Sequence, residues 1–229
     1  MRIRSIVVAS LIAGLVLPVV PAMAANKPVV INDTKGDANA LNDQGFTCIT
    51  EDPDICLPAN KGVSTAPLSS NAHDIVSATL STQFITKRQG TRKVQVPTNV
   101  IVVLQLGGAP AAGSMYRVTG QYGSCATFFV QYSVSLDGVK GGSIRTCDPA
   151  ATLGTVTNPL PTTKVSGNKI TFTIPLTLLA KLPVPLKIGT VVSTLGAHVR
   201  LYLGTSATGG VTVPQMDVIE TTLKFTVGK

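Results

Sequence analysis

Between Cys125 and Cys147 the chain spells out one face of a sheet. Ala126, Phe128, Val130, Tyr132, Val134 and Leu136 recur at every second position, which is the period of a β-strand and not the 3.6-residue period of a helix. The run stops at Asp137-Gly138, a dipeptide that tolerates positive φ and turns the chain tightly, and Ser143 to Cys147 reads as the returning strand. A chain with this hairpin at its centre must bury the apolar side of a pleated sheet. Cys125 and Cys147 come toward each other at its open end.

The same period runs through the rest. Asp74 to Ile85 alternates Val76, Ala78, Leu80 and Phe84 against Ser77, Thr79, Ser81 and Gln83, and Asn99 to Leu106 is apolar at nearly every position, as in a strand covered on both faces. Ser114 to Tyr122 sets Tyr116, Val118 and Tyr122 against Arg117, Thr119 and Gln121. Lys164 to Ser166 turns at Gly167-Asn168 into Lys169 to Ile174. Thr190 to Leu203 is a long strand, bent at Gly196, with Ala197, Val199, Leu201 and Leu203 inward and His198, Arg200 and Tyr202 outward. Asp217 to Val227 closes the chain with Ile219, Leu223, Phe225 and Val227 on the core side, and Leu176 to Leu182, stopped by Pro183, is the one helical stretch. The pattern predicts an all-β fold, an antiparallel β-sandwich of jelly-roll or immunoglobulin-like type.

Residues 1–24 hold Arg2 and Arg4, an apolar run from Ile6 to Val20 and then Pro21-Ala22-Met23-Ala24, the three-part design of a secretory signal peptide with cleavage after Ala24. The run is shorter than a membrane span needs, so the expectation is a secreted, extracellular protein with no membrane span. Residues 25–72 form an irregular segment rich in Asp, Asn and Gly, with Pro28 to Ile31 as a short edge strand, and 73–229 form the sandwich domain. Four cysteines on an exported chain point to two disulfides. Three pairings exist, and Cys48 with Cys56 and Cys125 with Cys147 is the local one.

The net charge is +8, yet the Lys and Arg are scattered. Lys87-Arg88 and Arg92-Lys93 are the only local cluster, read as a solvated loop between two strands, and with few aromatics a nucleic-acid partner is not expected.

Asp33, Asp37, Asn39 and Asp43 concentrate hard oxygen donors in a Gly-containing loop, with Asp74 and Asp217 available from the sheet. Calcium takes roughly six to eight such oxygens in flexible geometry, so the loop predicts a calcium site. The spacing is not that of an EF-hand. Asp33, Gly36, Asp37, Asp74 and Ile75, an Asp-x-x-Gly-Asp opening followed by Asp-Ile and alternating strands, resemble the exported sandwich domains of the DOMON and family 9 carbohydrate-binding-module type and the C-terminal module of glucodextranase. Thr34 stands where such domains often have Pro. The resemblance implies a jelly-roll-like sandwich, a structural calcium and, in some members, sugar or haem binding.

Sugar sites present aromatic rings, and this chain has no Trp. The outward side chains available are His198, Arg200 and Tyr202, or Phe129 with Gln131. Met115, His73 and His198 could ligate haem but show no spacing signal. No Gly-x-Ser-x-Gly elbow occurs, two histidines do not make a His-rich zinc site, and the carboxylate pairs Asp52 with Asp54 and Asp217 with Glu220 stand in loops or at strand ends. The sequence predicts a non-catalytic binding module with a polysaccharide ligand. The alternative is a structural or adhesion protein acting on a surface protein, favoured if the outward face around Val199 is flat and threonine-rich.

Overall fold

The computed structural model describes residues 27–33, 46–48, 56–58, 71–123, 126–146, 155–156, 162–205 and 209–229. Two antiparallel sheets share one hydrophobic cluster. The first contains β1 (Val29–Asn32), β4 (Ile75–Gln89), β5 (Arg92–Leu106), β10 (Thr162–Ser166) and β11 (Lys169–Pro175), in the order β1-β4-β5-β11-β10. The second contains β6 (Ser114–Tyr122), β7 (Ala126–Val134), β8 (Lys140–Thr146), β9 (Thr155–Val156), β12 (Val191–Thr205) and β13 (Gly209–Glu220), in the order β13-β12-β6-β7-β8-β9, with β14 (Phe225–Thr226) also on β12. A separate hairpin pairs β2 (Phe46–Cys48) with β3 (Cys56–Pro58). Every strand pair among the described residues is antiparallel. Among the described residues no helix is long and apolar enough to cross a membrane.

The alternating residues meet where their period puts them. Val118, Val130, Ile144 and Ala197 form one cross-strand row on the core side of the second sheet, and Tyr116, Tyr132 and Val199 the next. From the first sheet Val100, Val102, Leu104, Leu106, Phe172 and Ile174 face them, all buried. Burying each such side chain is worth about 1.5–3 kcal/mol. The rings of Tyr116 and Tyr132 lie 6.3 Å apart, and the Tyr116 hydroxyl accepts the Ala111 amide at 2.9 Å. At the other end of β6 the Tyr122 hydroxyl donates to the Val184 carbonyl at 2.6 Å. That bond holds the segment after α1 (Leu176–Leu179), the single turn of helix expected before Pro183.

Several expectations change. The stretch around Lys87 to Lys93 is not a loop: β4 and β5 continue to a two-residue turn at Gly90-Thr91, with Gly90 at φ 63°. Gly in the first central position with positive φ is the hairpin turn whose twist matches the strands. The Asn99 to Leu106 stretch is fully buried on one face only, since Ile101, Val103 and Gln105 are half-buried. Leu136 is exposed in the turn after β7. The last predicted strand is broken: β13 ends at Glu220, the Thr221 amide donates to the Leu195 carbonyl at 2.8 Å, and Leu223 is exposed, while Phe225 and Val227 return to the core. Residues 1–24, assigned to a signal peptide, lie outside the described residues.

β12 is irregular just before the expected bend at Gly196. Its register on β6 shifts between Ser193 and Gly196, and Thr194 has φ 50°. That left-handed conformation is costly for a β-branched residue. Gly196 leaves the room that the bulge needs, because a Cβ there would meet the Ile219 carbonyl at 2.9 Å, Thr119 Oγ1 at 3.0 Å and His198 Nε2 at 3.2 Å.

Candidate ligand-binding row and acidic corner

The outer face of the second sheet carries a polar row. Register places His198 of β12 opposite Arg117 of β6, Arg117 opposite Gln131 of β7, and Gln131 opposite Ser143 of β8. Adjacent strands lie about 4.8 Å apart, so these side chains form a line across the sheet. Arg117 Nε donates to Gln131 Oε1 at 2.8 Å, and its guanidinium lies 5.5 Å from the centre of the Phe129 ring. His198 Nε2 and Thr119 Oγ1 are 3.1 Å apart. Arg200, two residues along β12, extends the cationic face.

Alternation sends these side chains away from the core, yet Arg117 and Arg200 are each only 5% exposed and Gln131 9%. Thr119, Phe129, Ser143 and His198 are half-buried and form the accessible part. Burial, and then the charges of Arg200 and Arg117, lower the His198 pKa to about 4, so its imidazole is neutral at pH 7. A neutral imidazole, two guanidiniums, an amide and two hydroxyls beside an aromatic ring can donate and accept several hydrogen bonds at once. Low local dielectric strengthens each of them.

The sequence paired His198 with Arg200 and Tyr202, and separately Phe129 with Gln131. Arg117 joins the two groups. Its alternation marks it only as an outward residue, and the β6–β7 ladder sets it opposite Gln131. Tyr202 lies in β12 opposite Thr212, and its side chain is outside the described ones.

A second polar group closes one end of the core. Asp217 Oδ2 accepts the Ile75 amide at 2.6 Å, and His73 Nε2 lies 2.8 Å from Ser114 Oγ. Asp74 is buried at the start of β4, and its carbonyl accepts the Gly107 amide at 2.7 Å. A Cβ on Gly107 would meet Asp74 Oδ2 at 2.6 Å, so glycine is what lets this carboxylate sit there. Asp33 is next door, its amide donating to the Val76 carbonyl at 3.0 Å. The corner thus brings Asp33 and Asp74, two of the expected calcium donors, to adjoining strands. Asp37, Asn39 and Asp43 lie outside the described residues, and among the described residues no group of three or more His, Cys, Asp or Glu side chains is placed to hold a metal.

His73 and Ser114 have the hydrogen-bonded geometry of a base and a nucleophile, which sequence motifs did not signal. Ser114 is fully buried, so its hydroxyl offers no face to a substrate, and the pair ties the start of β4 to β6. Of the carboxylate pairs, Asp217 is engaged by Ile75, Glu220 is exposed, and Asp52 and Asp54 lie outside the described residues. Cys48 and Cys56 stand directly opposite each other in the β2–β3 ladder, the register a local disulfide requires. Cys125 and Cys147 are outside the described residues. Met115 is buried opposite Arg200 in the ladder, on the same side of the sheet as His198, while His73 is at the corner. No protein-family model matches this chain, and neither does any curated protein or any solved structure.

Proposed function

We propose that the protein is an exported, non-catalytic binding module whose ligand is a carbohydrate, built on a jelly-roll-like sandwich, held by Cys48–Cys56 and Cys125–Cys147 disulfides and steadied by a structural calcium. The observation that carries the ligand class is the row His198–Arg117–Gln131–Ser143 with Phe129 beneath the guanidinium. Carbohydrates present hydroxyls that both donate and accept, together with C–H faces that lie on aromatic rings. The row supplies both kinds of partner. A sugar would enter over the half-buried Thr119, Phe129 and Ser143, with Arg117 and Gln131 deeper.

The alternative, a structural or adhesion protein working through protein contacts, asks for a flat, threonine-rich face around Val199. Its neighbours are instead a half-buried neutral imidazole, His198, and a recessed guanidinium, Arg200, which supports the carbohydrate reading. A glycan array on the protein with and without Arg117→Ala tests the choice: retention of particular glycans, lost at least about tenfold in the variant, supports it, and uniform absence of retention favours protein contacts.

For calcium, Asp33 and Asp74 fit part of an oxygen shell at the mouth of β1 and β4, and when bound the ion would supply positive charge joining the Asp33 loop to the sheet. Thermal melts with calcium and with chelator test this. An unchanged melting temperature removes the ion from the account and leaves the ligand row standing.

A further inference from the structure

The β4–β5 hairpin runs well past its neighbours. β1 pairs with β4 only over Ser77 to Leu80, and β11 with β5 only over Asn99 to Gln105. Beyond the register shift between Gln83 and Phe84 the two strands continue as an arm from Phe84–Pro97 to Gln89–Arg92, capped by Gly90-Thr91. Residues 85–93 are all exposed. Near the tip stand Lys87, Arg88, Arg92 and Lys93. Arg88 and Lys93 are directly opposite each other in the ladder, a like-charge pair that destabilises an isolated hairpin. No acidic residue occurs anywhere between Asp74 and Asp137, so neither strand of the arm carries a carboxylate to offset them.

Alternation puts Lys87 and Arg92 on one face of the arm and Arg88 and Lys93 on the other. Thr86 and Gln95, joined by a hydrogen bond of 3.1 Å, together with Gln89 and Thr91, add uncharged donors and acceptors around the cations. Residues 85–96 contain no aromatic ring and Phe84, at the base of the arm, is half-buried, so the exposed part of the arm lacks the stacking platform on which single-stranded nucleic acid rests. Its turn is polar, whereas insertion into a lipid interface calls for apolar side chains at the leading edge. What fits is an extended chain with repeated anionic groups and hydroxyls between them.

We propose that this arm is a docking site for a linear acidic polysaccharide, with Arg88 and Lys93 binding anionic groups on one face and Lys87 and Arg92 on the other. The proposal takes its ligand class from the carbohydrate reading but uses none of the residues of the outer-sheet row. The anion relieves the Arg88–Lys93 repulsion, so association and stabilisation of the arm go together.

The test measures affinity of the full chain for heparin and for polygalacturonate, with oligo-dT and phosphatidylglycerol vesicles as competitors, at about 50 and 200 mM salt. The expected result is binding to the acidic polysaccharides that weakens with salt and drops about tenfold in Arg88→Ala/Lys93→Ala, at a melting temperature no lower than that of the parent. Lys87→Ala/Arg92→Ala provides an independent pair on the opposite face and should weaken binding likewise. Absence of polysaccharide binding, unchanged binding in both double variants, or tighter binding to oligo-dT or vesicles overturns the inference. Neutral-glycan retention is read separately in the same variants, which leave the outer-sheet row intact. If it is absent throughout while arm-dependent polyanion binding persists, the row reading falls and the arm stands.

Discussion

The Asp217 carboxylate holds the backbone amide of Ile75 at 2.6 Å across 142 positions of sequence. Asp217 lies on β13 at the edge of the second sheet, and Ile75 is the first residue of β4 in the first. One side chain thereby joins the two sheets at the corner where His73 meets Ser114. Asp217→Ala would leave the Ile75 amide buried without this acceptor, and the expected loss is about 2–3 kcal/mol of unfolding free energy. Asp217→Asn keeps an acceptor oxygen and should lose about half as much. Urea titrations of the three proteins check the order.

At Thr194 the chain sits at φ 50° within the β12 bulge. Glycine in a strand normally weakens it, but here the side chain that glycine removes is the source of the strain. Thr194→Gly is therefore expected to raise stability by about 0.5–1 kcal/mol. A fall of similar size in the chemical-denaturation midpoint would show that the Thr194 side chain is held by favourable contacts instead.

Gly196 has the opposite expectation. Alanine there would press on the Ile219 carbonyl, which is backbone and cannot swing aside, and on both partners of the Thr119–His198 contact. Gly196→Ala should cost about 1–3 kcal/mol and should reduce glycan retention as well, because His198 is displaced from the row. Melting temperature and array signal measured on the same preparation check both effects.

His198 makes stability depend on pH. Its folded pKa of about 4 lies below the ordinary value of 6.5, so the unfolded chain takes up a proton at a pH where the folded one does not. The contribution is complete above about pH 6.5 and is lost as pH falls toward 4. At about 1.4 kcal/mol per unit, it is on the order of 3 kcal/mol. His198→Gln, measured by urea unfolding at several pH values, should show a shallower decline than the parent over this window, and parallel curves would contradict a neutral buried imidazole.

Strand positions were readable because the core is written with a period of two: Phe128, Val130 and Tyr132 are buried in the order their spacing implies. What alternation cannot convey is what covers a sheet's other side. Alternation sends Arg117 and Arg200 away from the core, and only the folded chain shows them enclosed. The arm is illegible for the converse reason: where both faces of a hairpin are wet, polar residues fill both sets of positions and the period vanishes. Val94 and Val96 were the remaining β-forming signal. Leu223 kept the phase of a strand that had already ended at Glu220, and the Asp217–Ile75 bond joins positions too remote for any local pattern to announce.

Because β4 and β5 each continue as one strand from the arm, through the register shift at Gln83–Phe84, into the middle of their sheet, a tug on the tip travels lengthwise along both strands. The rungs to β1 and β11 are then sheared together and not peeled one by one. The pull ends at fixed anchorages: Asp217 grips β4 at Ile75, and Asn168 grips β5 through its side-chain amide, 2.7 Å from the Leu106 carbonyl. A protein tethered by its arm would hold its shape under mechanical load.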